Sequence, residues 1–339
     1  VPGSRVGGRR SFALSGGGRA IADVGVLVIS LLVLGYCGDR FVLGMSRLAS
    51  VVRVKPAVVG TVVGGLGASI PELIVAGVAA GRGEPGLAVG SMVGSNVVNV
   101  GLGLALAALV APVRVESRTL RREIPVCILG VLLMALAADG GISRTEGVLL
   151  GLALIGAIGV LLINAEHAPA DDEVEVEVIR TFGGPARSRP ASTPPRREIG
   201  LALASVIGMV AGAEALVRSA TALADRLGME RNLIGLTIVA VGTSVPVVVI
   251  AVQAARRGLH DLVAGNVFGS DLFIALGGGS LVALIRGGEA ASVGSLPLVC
   301  MCLLTLTGWG FMARGNLLNR WEASALIAGF GLTMLLASR

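Results

Sequence analysis

The sequence predicts an all-α polytopic membrane protein, with ten transmembrane helices arranged as two inverted five-helix repeats. Three observations lead there. The 339 residues are 54% hydrophobic and only 15% charged, against roughly 25% charged in a typical soluble domain. The charges cluster between apolar runs of roughly 17 to 25 residues, the length that crosses about 30 Å of hydrocarbon as helix. Finally, residues 67–99 return without a gap at residues 242–274. Repetition at one fixed offset marks duplicated structural units.

Residues 1–20 are rich in Gly, Ser and Arg and form an N-terminal tail. The first repeat, 21–163, carries spans at 21–44, 56–80, 87–110, 123–138 and 146–163. The fourth is short, and Pro125 near its start suits the first turn of a helix. Residues 164–198 are the long hydrophilic connection, acidic at first (Glu166, Asp171, Asp172) and Pro/Arg-rich around 185–197. Such composition reads as a linker. The second repeat, 199–339, carries spans at 199–220, 232–255, 261–285, 294–311 and 322–337.

Orientation follows from the basic residues. With the N-terminus outside, sixteen Lys and Arg fall in the inside loops against eleven outside. The excess favours a cytoplasmic linker in a multi-pass protein of the cell membrane. Five spans per half is an odd number, so the second half enters from the opposite side. The two matched motifs then face each other near the midplane.

Each copy holds polar residues inside apolar sequence. Gly67, Ser69 and Pro71 fall on Gly242, Ser244 and Pro246, and Gly94-Ser95 fall on Gly269-Ser270. Proline removes a backbone donor and frees carbonyls in the turn before it. Glu72 follows Pro71 directly, and a carboxylate inside a membrane is functional by default because it is costly there. The plain alternative is a protonated Glu bonded across a helix interface. Ser91, Ser95, Asn96 and Asn99 share one helix face, and the second copy has Asn266, Ser270 and Asp271. Thr243 and Ser244 precede Pro246. These are hard oxygen ligands, suited to calcium, sodium or protons and unsuited to soft metals.

The two stretches resemble the paired alpha repeats of the calcium/cation antiporter superfamily, and are most similar to those of its prokaryotic sodium/calcium exchanger membrane proteins. The resemblance covers essentially the whole chain. It implies cation antiport by alternating access, with Glu72, Asn96 and Asp271 around the ions. It also implies contributions from Ser69, Ser95, Thr243, Ser244 and Ser270. One departure is sharp: Val247 stands where the family's second repeat has Glu. Glu72 and Asp271 then leave two negative charges, and the three sodium ions of the family's exchange would leave one charge uncompensated. Val247 also keeps a second reading open, that of a transport-inactive relative with a structural or partner-binding role.

Other classes fit less well. An intramembrane enzyme needs a nucleophile–base pair or metal-binding histidines, and His167 and His260 read as loop residues. The basic excess serves anionic lipid rather than nucleic acid. No cofactor is called for beyond the transported cations, and the expected partners are inorganic cations and the bilayer. Cys37, Cys127, Cys300 and Cys302 sit in apolar surroundings and read as packing residues. Asp39 and Glu214, matched across the halves beside Arg40 and Arg218, read as supports for the first and sixth spans.

Overall fold

A computed structural model describes residues 21–37, 40, 65–114, 118–166, 195–286 and 293–337. The first half contains α1 (Ile21–Cys37), α2 (Gly65–Gly81), α3 (Pro85–Val110), α4 (Arg118–Ala138) and α5 (Arg144–Glu166). The second contains α6 (Pro195–Leu227), α7 (Arg231–Thr243), α8 (Val245–Arg256), α9 (His260–Arg286), α10 (Ser295–Gly315) and α11 (Arg320–Ala337). Five helices among the described residues are long and apolar enough to cross a membrane, and α7 with α8 makes a sixth, bent by 43°. The chain is a polytopic helical membrane protein.

Burial sorts these helices. The apolar windows of α3 and α9 are 78% and 67% buried, against 22% in α5 and 33% in α10. The two helices that carry the asparagines and Asp271 therefore form the centre. Leu149, Leu152 and Ile155 on α5 and Leu129 and Leu136 on α4 point outward, where hydrocarbon is the natural solvent.

The repeated Arg-Gly pair has a structural cause. Gly83 and Gly258 have φ of 78° and 75°, a conformation that glycine adopts without a Cβ penalty. After each, Glu84 N–H bonds Ala79 O at 2.9 Å and Leu259 N–H bonds Ala254 O at 3.0 Å. Both are helix stops that return an amide to a carbonyl of the last turn. Met229 N–H to Ala224 O closes α6 in the same way. α6 ends seven residues beyond the expected 220, because residues 222–227 are mostly good helix formers such as Ala222, Leu223 and Ala224.

Several expectations need correction. α4 starts at Arg118, so Pro125 is interior to the helix rather than in its first turn. α6 starts at Pro195 and α5 continues to Glu166, which shortens the linker at both ends. Arg218, one of the eleven basic residues counted outside, lies on α6 and pairs with Glu214 one turn away at 2.7 Å. His260 opens α9 and is helical. In the first copy Pro71 sits inside the uninterrupted α2, while the second copy parts at Ser244. Asp39 and His167 fall outside the described residues.

Three π-helical stretches were not expected: Asn99–Leu104 in α3, Gly235–Val239 in α7 and Phe273–Gly278 in α9. A π turn rotates every later side chain about the axis, and such turns concentrate at functional sites. Those of α3 and α9 occupy nearly matching places in the two repeats.

The helix ends are tied together in two groups. In one, Asp23 pairs with Arg226 and Glu84 with Arg231, while Arg286 donates to Ala80 O; Arg82 reaches Glu214 in the interior of α6. In the other, β1 (Val113–Arg114) pairs antiparallel with β2 (Leu317–Leu318). No apolar pattern announces a pairing of two residues per strand.

The α3–α7 contact is backbone on backbone. A Cβ on Gly90 would strike Asn232 O, one on Gly94 would strike Leu236 O and Ala240, and one on Gly235 would strike Leu87 O. Small residues four apart allow such an approach between membrane helices. Gly94→Leu is expected to destabilise the protein by at least about 1–3 kcal/mol, the usual cost of overpacking. A thermal melt in detergent checks it, and an unchanged midpoint would contradict the close contact.

Candidate cation site

Four elements converge on the site: α2 with Ser69 and Glu72, α3 with Ser95, Asn96 and Asn99, the α7–α8 junction with Thr243 and Ser244, and α9 with Asn266, Ser270 and Asp271. All these side chains are buried, none more than 3% exposed. Polar atoms so placed need partners. Here a specific set has none among the described residues: both Glu72 oxygens, Ser95 Oγ, Asn96 Oδ1, Asn99 Oδ1, Ser244 Oγ, Asn266 Oδ1 and Asp271 Oδ2. Every one is an oxygen. A nest of unpaired carboxylate, amide and hydroxyl oxygens suits a hard cation, which takes six to eight oxygens when it is calcium.

The remaining polar groups orient these oxygens. Asn99 Nδ2 donates to Asp271 Oδ1 at 2.9 Å, across 172 residues of sequence. That bond leaves Asn99 Oδ1 and Asp271 Oδ2 as the two enclosed oxygens of the pair without partners. Asn96 Nδ2 donates to Met301 Sδ on α10 at 3.5 Å, which leaves its carbonyl oxygen free. Ser244 Oγ lies beside the Glu72 carboxylate. Asp271 and Glu72 stand within electrostatic range of each other, so the two carboxyl groups belong to one cluster.

The two halves use their serines differently. Ser69 Oγ reaches Gly65 O at 2.9 Å and Ser270 O at 3.3 Å, and Ser270 Oγ reaches Gly65 O at 3.5 Å. This pair fastens α2 to α9. Its counterparts in the repeat, Ser244 and Ser95, have unpartnered hydroxyls. Thr243 Oγ1 donates to Val239 O at 3.0 Å, within its own helix. A hydroxyl that gives its proton to a carbonyl keeps lone pairs for a cation, so Ser69, Ser270 and Thr243 remain able to coordinate.

Backbone carbonyls add to the set. Pro71 and Pro246 have no N–H, so Gly67 O and Gly242 O lack the usual helical donor. Leu31 of α1 packs over Gly242, which sets the first helix against the break. Val247 is fully buried, and its carbonyl accepts Asn266 Nδ2 at 3.1 Å. An amide thus holds the backbone at the position where the resemblance implies a carboxylate.

Sequence reading placed Asn99 on the polar face but not among the ligands, and missed Met301 altogether. The first was findable as the fourth polar residue of that face. A methionine in an apolar helix carries no such mark. Ser91, on the same face in the sequence, bonds Ala88 O within its own helix and has no unpartnered oxygen.

The fold and these residues define a class: a polytopic helical membrane protein with a buried cluster of carboxyl, amide and hydroxyl oxygens. The family described as sodium/calcium exchanger protein matches residues 23–163 and 198–339, and the chain belongs to it. It is a cation antiporter rather than an enzyme. The inner membrane protein YrbG of Escherichia coli is 35% identical over 274 residues, covering 78% of this chain and 80% of that protein. The sodium/calcium exchanger MaX1 of Methanosarcina acetivorans is 29% identical over 333 residues, covering 89% and 94%. A solved structure of the sodium-calcium exchanger NCX_Mj, soaked with 10 mM Na+ and zero Ca2+, is similar with a TM-score of 0.63. Its identity is 28%, and the similarity covers 93% of this chain and 99% of that one. Family membership favours transport over the inactive reading that Val247 had kept open.

Proposed function

We propose that this chain exchanges calcium for sodium or protons by alternating access, through one site at Glu72, Asn96 and Asp271. Ser69, Ser95, Thr243, Ser244 and Ser270 complete that site. The observation that carries this reading is the set of buried oxygens without partners, which includes two carboxylates. Bringing them through an occluded state empty costs more than bringing them through with a cation bound. Transit of the site therefore requires an ion, which is what couples the two fluxes. The relatives' names support calcium and sodium as the cargo.

Ten spans in two inverted repeats carry this cycle, with α1, α2, α4 and α11 spanning as well. The tied helix ends support that count. In a ten-span path the ends joined by Asp23–Arg226, Glu84–Arg231 and Arg286–Ala80 all lie on one side. β1 and β2 lie on the other. A path with one span fewer before these contacts would put partners on opposite faces. α1 and α6 are the sliding pair. They meet through Val26, Ile29 and Val33 against Ala211, Gly212 and Ala215, with one ion pair, Asp23 to Arg226, near their ends.

Two experiments test this reading. Proteoliposomes loaded with calcium and given sodium, proton or potassium gradients are expected to exchange calcium with at least one of the first two. No flux and no binding of any cation would overturn it. Orientation is tested by Ser192→Cys in intact cells. The linker is expected to be cytoplasmic, so labelling by an impermeant reagent from outside would reverse it.

A further inference from the structure

Among the described residues the buried carboxylates are Glu72, Asp271 and Glu123, and the site uses only the first two. Glu123, on α4, is 6% exposed, and its Oε1 is enclosed without a hydrogen-bond partner. An uncompensated carboxylate in a membrane protein costs several kcal/mol, so its placement needs a cause.

The packing of α4 on α9 supplies its position. Gly130 faces Leu272 and Leu276, with no room for a Cβ. Three residues earlier, Cys127 comes level with Asp271, and it stands within electrostatic range of both Asp271 and Glu123. One further turn back on the same face is Glu123. It lies seven residues from Gly130, about 10 Å along the axis at 1.5 Å per residue. That direction leads toward Arg118 and the end of the molecule where β1 pairs with β2. Glu123, Cys127 and Asp271 are thus successive steps from that end to the site, and Cys127 offers no competing charge of its own.

We infer that Glu123 is a staging site, where a calcium or sodium ion passing between the β1–β2 end and the transport site is held by a carboxylate before it reaches Asp271. The inference rests on the reading of Glu72 and Asp271 as the transport site. An anionic oxygen enclosed on the approach is a hard ligand for such a cation. It would raise the local cation concentration on one side of the protein only.

Sidedness is therefore the test. Calcium dependence of flux is measured in proteoliposomes with the β1–β2 end facing in and, separately, facing out. Glu123→Gln is expected to raise the half-saturating calcium concentration on the β1–β2 side about threefold to tenfold. That is the scale of removing one charge from beside the held ion in partly buried surroundings. On the opposite side the change is expected to stay within about twofold of the unmodified chain. Glu123→Asp keeps the charge on a shorter arm, and a smaller shift on the same side is expected. Equal shifts on both sides, or none, overturn the inference while leaving the transport site standing. Absence of flux in the unmodified protein overturns both. If Glu123→Gln does not fold, Glu123→Asp decides alone by whether its shift is confined to the β1–β2 side.

Discussion

Glu72→Gln and Asp271→Asn, made singly, are each expected to abolish coupled cation flux while the protein still folds and reaches the membrane. Each removes one of two charges and leaves the bound cation undercompensated by one. Breaking a buried charge pair in this way costs about 3–5 kcal/mol, so apparent affinity is expected to fall by at least about 100-fold. Folding responds in the opposite sense. Both Glu72 oxygens lack partners among the described residues, and a neutral amide there no longer demands a counter-charge. Without cations the variants are expected to melt at or above the temperature of the unmodified protein. A ligand that binds only the folded state stabilises it by mass action, so calcium is expected to raise the melting temperature of the unmodified chain and not of the variants. Normal sodium- or proton-driven calcium flux in both would show that the carboxylates serve structure alone.

The second large effect concerns Val247. Glu72 and Asp271 balance one divalent or two monovalent cations. We therefore expect two monovalent ions per calcium, an exchange that moves no net charge. Calcium flux is expected to be nearly insensitive to a potassium–valinomycin potential, and strong acceleration by that potential would sink the charge argument. Val247→Glu puts a third carboxylate on α8, directly beside the break at Ser244. Val247 is fully buried and Asn266 holds its backbone carbonyl, so the larger side chain is expected to cost about 1–3 kcal/mol. Where it is accommodated, the site has room for the charge of a third monovalent ion. Stronger sodium dependence together with a new response to voltage is the expected result. Flux appearing in Val247→Glu alone would mark this residue as the place where transport had been lost.

Much of this was legible in the sequence because it is written in local patterns. Apolar runs locate helices, and the internal repeat by itself pairs Gly83 with Gly258 and Pro71 with Pro246. Helix ends were less legible. The continuation of α6 to Leu227 and the interior position of Pro125 depend on stop geometry and on polar turns that lie outside any hydropathy window. The break itself was legible only in part. The same proline motif parts the helix at Ser244 and leaves α2 continuous through Pro71.

The order of amino acids is enough to set the kind of molecule: a helical membrane protein of two repeats, with carboxylates, amides and hydroxyls inside its apolar helices. Burial of those residue types in hydrocarbon is costly wherever the helices happen to pack, so composition and spacing suffice to read it. Which oxygens are free was decided by the packing of the helices. Ser69 and Ser270 are joined to one carbonyl and Ser95 and Ser244 are left open, though the repeat treats the pairs alike. Asn99 is turned onto Asp271 where a π turn begins in α3, and Met301 takes the Asn96 amide from a helix with no polar pattern. Each of these depends on the rotation and depth of helices that lie 172 to 205 residues apart in the chain. Rotation and depth are set by close contacts, such as the glycines of α3 on α7 and of α4 on α9, and no local periodicity encodes them.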